Sequence, residues 1–112
     1  MEEVVITAAG RSAVGNFGGT LASLSAAEIG AQVVRGVLER ANVDPEVIDE
    51  VILGQVLTAA CGMNPARQTA LNAGLPVTTP AMTINKVCGS GVNATHMATQ
   101  AIQLDDAQAI IA

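Results

Sequence analysis

The residue best equipped for chemistry is Cys88, in the run Asn85-Lys86-Val87-Cys88-Gly89-Ser90-Gly91. The segment before it, Ala81 to Asn85, has the short apolar and β-branched character of a strand. The segment from Cys88 to about Leu104 has the length and composition of a helix. A thiol at that junction sits where a helix N-terminus presents unpaired amides and partial positive charge, which favours the thiolate, the reactive form of sulfur. Glycines at 89 and 91 let a substrate approach the sulfur without a Cβ in the way, and amides exposed there can donate to an oxyanion. The combination suits acyl transfer. On its own, the same pattern also fits a cysteine used as a small buried hydrophobe.

Other residues with chemical potential are weaker candidates. His96 lies eight positions beyond Cys88, about 12 Å along a helix axis and outside hydrogen-bond reach, so a structural role is expected. Cys61, beside Gly62 in a loop, reads as loop filler, and with Cys88 and His96 it makes neither zinc spacing nor a redox pair. No metal site is expected. Lys86 would share a strand face with Cys88 and bring positive charge near the sulfur. Gly15, Gly18 and Gly19 lack the Gly-Lys-Ser/Thr ending of a phosphate loop and the spacing of a dinucleotide site, so they read as tight loop geometry. Arg11 and Arg67 are expected in ion pairs or at a subunit contact.

The elements that must position Cys88 follow from patterning. Residues 4–9 form a β-branched run expected as a first buried strand, and Gly10 to Gly19 a loop. Ser25 with Glu28 makes a capping box ahead of apolar residues at helical spacing, predicting a helix over Ala26 to Ala41. Asn42 and Asp44-Pro45 end it, before a second strand over Val51 to Leu53 that finishes near Gly54 to Leu57. Asn64-Pro65 supplies an N-cap and a first-turn proline for a short helix, Ala66 to Ala73, closed by Gly74 and Pro76. A strand over 81–85, the helix from Cys88 and a strand opening at Ala107 complete the chain. Alternation of strands and helices predicts an α/β fold with mainly parallel pairing. Small residues around the whole circumference of the last helix, with no charge between Lys86 and Asp105, predict an interior layer covered from outside this segment.

Composition excludes several classes. The 112 residues carry a net charge of -5 with five basic residues, scattered so that they cannot neutralise a row of phosphates. With Phe17 the only aromatic side chain, there is no platform for stacking bases. Nucleic acid is therefore not an expected partner. No apolar run approaches the roughly 20 residues of a membrane span. The start, Met-Glu-Glu followed by Val4, Val5 and Ile6, lacks the features of a signal or transit peptide, so a cytoplasmic location is expected.

With these residues in hand, the chain resembles the N-terminal part of thiolases, the acyl-CoA acetyltransferases. The resemblance spans nearly the whole chain through RSAVGNFGGTL (11–21), VILGQV (51–56), GMNPARQ (62–68) and, most specifically, NKVCGSG (85–91). It implies a partial N-terminal domain, residues 1–112, of an αβαβα layered fold with the small-residue helix buried after the nucleophile. It implies Cys88 as covalent nucleophile, with its amide in an oxyanion hole, coenzyme A thioesters as substrates, no cofactor, and a homodimer or homotetramer. A histidine and a second cysteine from the C-terminal half would complete the site, so the 112 residues alone are expected to be inactive. A 3-ketoacyl synthase-like segment and a non-catalytic assembly fragment are the rival readings.

Overall fold

The computed structural model describes Met1 and residues 3–112. Helix α1 spans Ala26–Ala41, strand β1 Glu50–Gly54, helix α2 Pro65–Asn72, strand β2 Ala81–Ile84, helix α3 Ser90–Gln103 and strand β3 Ile110–Ile111, with a single 3-10 turn at Pro45–Val47. The strands form a three-stranded sheet in the order β2-β1-β3, all parallel. Val51 lies opposite Ala81 and Gly54 opposite Ile84 on one side, and Val51 lies opposite Ile111 on the other. The expected α/β class and parallel pairing are what the structure shows.

Each helix starts and stops for local reasons. The capping box of α1 is complete: the Glu28 amide donates to Ser25 Oγ at 3.2 Å and the Ser25 amide to the Glu28 carboxylate at 2.7 Å. That amide, with the Ser25 hydroxyl second, holds the Glu28 carboxyl below the usual carboxylate range. All three helices close in one way, with a left-handed residue after the last turn: Asn42 (φ 53°), Gly74 (φ 89°) and Asp105 (φ 63°). The following amide then reaches back five residues, as Val43 does to the Leu38 carbonyl, Leu75 to Ala70 and Asp106 to Ala101. Asn and Asp serve here beside glycine because their short polar side chains tolerate this conformation.

The apolar run of β1 is buried because both faces of the strand are covered. Val51 and Leu53 point toward Val34 and Leu38 of α1 and Ala70 of α2, in a core that also takes in Ile48, Ala73 and Leu75. Ile52, only 2% exposed, points by strand alternation to the opposite face, which α3 covers. The path explains the arrangement. From β1 to β2 the chain crosses the sheet in one direction and from β2 to β3 it returns past β1. Two crossovers of the same hand then put α2 and α3 on opposite faces.

One expectation is corrected. Residues 4–9 are not a strand of this sheet: they form no backbone ladder among the described residues, and Val5 and Ile6 are 65% and 77% exposed. A β-branched run needs a free, aligned sheet edge to become a strand, and none in the described residues pairs with it. Helix α3, expected to be covered on its other sides from outside this segment, packs one face on the sheet. Ser90, Ala94 and Ala98 form its one buried stripe, while Val92 is 79% exposed. The small, uncharged circumference of α3 therefore has a single covered side within the described residues.

The approach to β1 is tied to the last strand by one carboxylate. Asp49 Oδ2 accepts the amides of Gln108 at 2.7 Å and Ala109 at 3.0 Å, and the Asp49 amide donates to the Ala109 carbonyl at 2.9 Å. These bonds, that from Gln108 first, hold the Asp49 carboxyl below its ordinary value. A depressed value means that its stabilisation is present above the unfolded-state value of about 4 and is lost as pH falls through the folded-state value. Asp49→Asn should lower the urea midpoint at pH 6, and the gap to the parent should narrow as pH falls below about 4. A gap that persists unchanged at pH 3 would refute this role.

Candidate active site

Between Ile84 and Ser90 the chain makes a tight turn from β2 into α3. Asn85 opens it: its Nδ2 donates to the Val56 carbonyl at 3.3 Å and its Oδ1 accepts the Val87 amide at 2.8 Å. The Gly89 amide then donates to the Lys86 carbonyl at 3.0 Å and the Ser90 amide to the Val87 carbonyl at 3.1 Å. Ser90 Oγ accepts the Lys86 amide at 2.8 Å and donates to the Val87 carbonyl at 2.6 Å. At the centre of these bonds Val87 has φ 49°, a left-handed conformation that a β-branched residue adopts at an expense of about 1–2 kcal/mol. Strain of this kind persists where the surroundings over-determine the backbone. Cys88 comes next, exposed, before the N-cap residue Gly89. Strand, sharp turn, exposed nucleophile and helix is the arrangement by which α/β enzymes present a reactive serine, here with sulfur in its place.

The turn is seated on β1. A Cβ placed on Gly54 would lie 2.5 Å from Ser90 Cβ and 2.9 Å from the Ser90 carbonyl carbon, closer than any side chain tolerates. The last residue of β1 therefore has to be glycine for α3 to begin where it does.

The amides around the sulfur divide into two groups. Those of Gly89 and Ser90 are used in the turn. No side chain caps α3, and among the described residues the amides of Cys88, Gly91 and Val92 have no acceptor. Helices normally satisfy first-turn amides with a capping side chain. Here they stay available beside an exposed thiol, the combination needed to stabilise negative charge developing on a carbonyl oxygen. A Cβ on Gly91 would meet nothing within 4 Å, so its small size leaves open space over the helix start.

The remaining candidates fall elsewhere. Lys86 does not share a strand face with Cys88, because the left-handed turn at Val87 breaks the alternation; its Nζ lies 3.4 Å from Asn93 Oδ1. His96 is exposed on α3. Cys61 is partly buried in its loop, its sulfur accepting from Gln55 Nε2 at 3.4 Å and directed at the Ala59 and Leu57 carbonyls. Arg11 bonds the neighbouring Ser12 carbonyl. Arg67 is in no expected ion pair: its guanidinium donates to the Thr79 and Val77 carbonyls, both at 2.8 Å. Gly18, at φ 67°, sits in a turn, as loop geometry requires. Among the described residues no group of side chains could hold a metal ion, and no helix is long and apolar enough to cross a membrane.

Sequence patterning passed over the roles of Ser90 and Gly54 and the bonds of Asn64 to β2, while the expected N-cap at Asn64 is what the structure shows. Asn64, in a left-handed conformation (φ 45°), accepts from the Arg67 amide at 3.3 Å and from Thr83 Oγ1 at 2.7 Å, and donates to the Ala81 carbonyl at 2.9 Å. Thr83 Oγ1 in turn accepts the Ala66 amide. This network pins the start of α2 to β2, beside an open groove of about 510 Å³ whose wall includes Gln55, Thr58, Asn64, Thr83 and Asn85. The groove reaches the ends of β1 and β2, where the chain leaves toward opposite faces of the sheet, a position at which α/β proteins commonly bind ligands.

The parallel α/β domain thus presents an exposed thiol on a strand-to-helix turn, at the start of a helix that no side chain caps. Residues 4–112 match the thiolase N-terminal domain, and the chain belongs to the thiolase family. It is 64% identical over 111 residues, 99% of its length, to an acetyl-CoA acetyltransferase of Allochromatium vinosum, and 59% identical over 112 residues to one of Pseudomonas aeruginosa. It spans 28% of the length of each of these relatives. A Clostridioides difficile protein with the same description is 58% identical over 92 residues, which are 82% of this chain and 86% of that protein.

Two outcomes follow from the geometry. Gly54→Ala should destabilise the fold by about 1–3 kcal/mol through overpacking, seen as a lower thermal midpoint, and should disturb the reactivity of Cys88 more than that of Cys61. In the parent protein, peptide mapping after brief iodoacetamide treatment at neutral pH should find Cys88 alkylated several-fold faster than Cys61, since one thiol is exposed and the other is enclosed by hydrogen bonds. Equal rates would count against this difference in access.

Proposed function

We propose that this chain carries the nucleophile of a thiolase acting on coenzyme A thioesters. The Cys88 thiolate attacks the carbonyl carbon of an acyl-CoA, the carbonyl oxygen takes up negative charge beside the free amides, and collapse expels CoA thiolate, leaving the acyl group on sulfur. In the second half-reaction the α-carbon of acetyl-CoA, having lost a proton to a base, attacks the acyl-cysteine. A carbon–carbon bond forms and the Cys88 thiolate is released. The reverse sequence cleaves a 3-ketoacyl-CoA with CoA.

The observation that carries this reading is the exposed thiol of Cys88 at the start of α3, where no side chain caps the first-turn amides. Support comes from the names of the relatives, whose description as acetyl-CoA acetyltransferases matches the chemistry the turn can perform. The reaction needs no cofactor, because the thioester supplies both the electrophile and the leaving group. Proton removal from thiol and α-carbon falls to groups outside these residues, in a homodimer or homotetramer. The two free thiols suit a reducing, cytoplasmic setting.

In the full-length protein, Cys88→Ala should abolish acetoacetyl-CoA cleavage, and mass mapping after incubation with acetyl-CoA should find the acetyl group on the Cys88 peptide of the parent. A polypeptide of these 112 residues alone should show no CoA-dependent cleavage. Acetylation only from an acyl carrier protein would instead favour a synthase, and full activity in Cys88→Ala would remove the assignment altogether.

A further inference from the structure

We propose that Ser90 is a positioning residue for the reaction, acting through the backbone of Val87; this rests on Cys88 being the acyl-accepting nucleophile. Ser90 is 5% exposed, and its hydroxyl has both its donor and an acceptor site engaged within one turn, taking the Lys86 amide at 2.8 Å and giving its proton to the Val87 carbonyl at 2.6 Å. Asn85 holds the other side of the same residue, its Oδ1 on the Val87 amide at 2.8 Å. The peptide groups on both sides of Val87 are thus fixed by side chains, and the β-branched residue between them stands at φ 49°, in the left-handed region that a valine disfavours.

Relaxation of Val87 toward an ordinary negative φ would rotate the Val87–Cys88 peptide, and with it the Cys88 amide and the direction of the Cα–Cβ bond. The Ser90 hydroxyl opposes that rotation. It cannot easily be replaced in this by packing, because Ser90 Cβ is already pressed against the site where Gly54 has no side chain. Its role is to keep the sulfur and the Cys88 amide aimed at the same carbonyl group, and it does not touch the reacting atoms.

The prediction is a coupling between positions 87 and 90. In the full-length enzyme, Ser90→Ala should lower turnover per titratable Cys88 at least about tenfold, the scale of a small misalignment of a nucleophile. KM for acetyl-CoA should stay within about twofold, since only interactions used in the transition state are disturbed. Normalising to Cys88 titrated with radiolabelled iodoacetamide removes loss of folded enzyme from the measurement. Glycine adopts the left-handed conformation without strain, so in a Val87→Gly background the further change Ser90→Ala should lower turnover about threefold or less relative to Val87→Gly alone. An equal effect of Ser90→Ala in both backgrounds would overturn the proposal, as would unchanged turnover per Cys88 in Ser90→Ala. If Ser90→Ala does not fold, Asn85→Ala, at an exposed position, is carried through the same comparison, and equal losses in the two backgrounds overturn the clamp. An enzyme whose Cys88 never carries an acetyl group would fail the functional reading itself. An acetylated Cys88 with no coupling between 87 and 90 would fail the positioning role alone.

Discussion

The contact between Gly54 and Ser90 governs the geometry of the whole site. A helix with no side-chain cap has no local signal strong enough to define its first turn, and α3 has none. Its start is set by packing, because the end of β1 carries no Cβ and the first residue of α3 settles onto that backbone. Once Ser90 is seated there, its hydroxyl is within reach of the turn it has just left, and the bonds to Lys86 and Val87 follow. Val87 is driven into a conformation it would not choose, and Cys88 is left facing outward. A missing methyl on one strand is thereby converted into the exposure of a sulfur on another element.

Topology explains why this happens at one edge of the sheet. Chains leaving β1 and β2 depart to opposite faces, and the space between their departures is not filled by either connection. The Gln55 to Asn64 loop and the Asn85 turn border that space, and the groove lies there. The free amides of α3 are at the same edge because a parallel sheet brings the ends of its strands and the starts of the following helices together. Electrostatics and access are therefore supplied by chain direction, before any particular side chain is considered.

Much of the frame was legible in the sequence. The capping box and apolar spacing of α1, the run in β1 and the passage from strand to helix at Cys88 are local signals, and local signals survive in a structure whose elements are short and regular. The misses share a different cause. Whether residues 4–9 become a strand depends on an edge elsewhere in the fold. The role of Gly54 depends on what packs over it, and a left-handed valine carries no sequence mark at all, since its conformation is imposed by Asn85 and Ser90. Arg67, expected in an ion pair or at a subunit contact, instead donates to the Thr79 and Val77 carbonyls.

The two most recognisable motifs also differ in what their specificity means. In GMNPARQ the polar side chains are consumed within the chain: Asn64 on Ala81 and Thr83, Arg67 on Thr79 and Val77, Gln68 on the Cys61 and Met63 carbonyls. Such residues are demanding in identity because each fits one set of backbone groups, and that demand reflects folding. In NKVCGSG the same holds for Asn85 and Ser90, while Lys86 is directed to Asn93. Subtracting Asn85 and Ser90 leaves the exposed ammonium of Lys86, with one 3.4 Å contact to Asn93, and the exposed sulfur of Cys88. The motif is specific mostly because a strained turn must be built correctly, and the building leaves the thiol of Cys88 exposed.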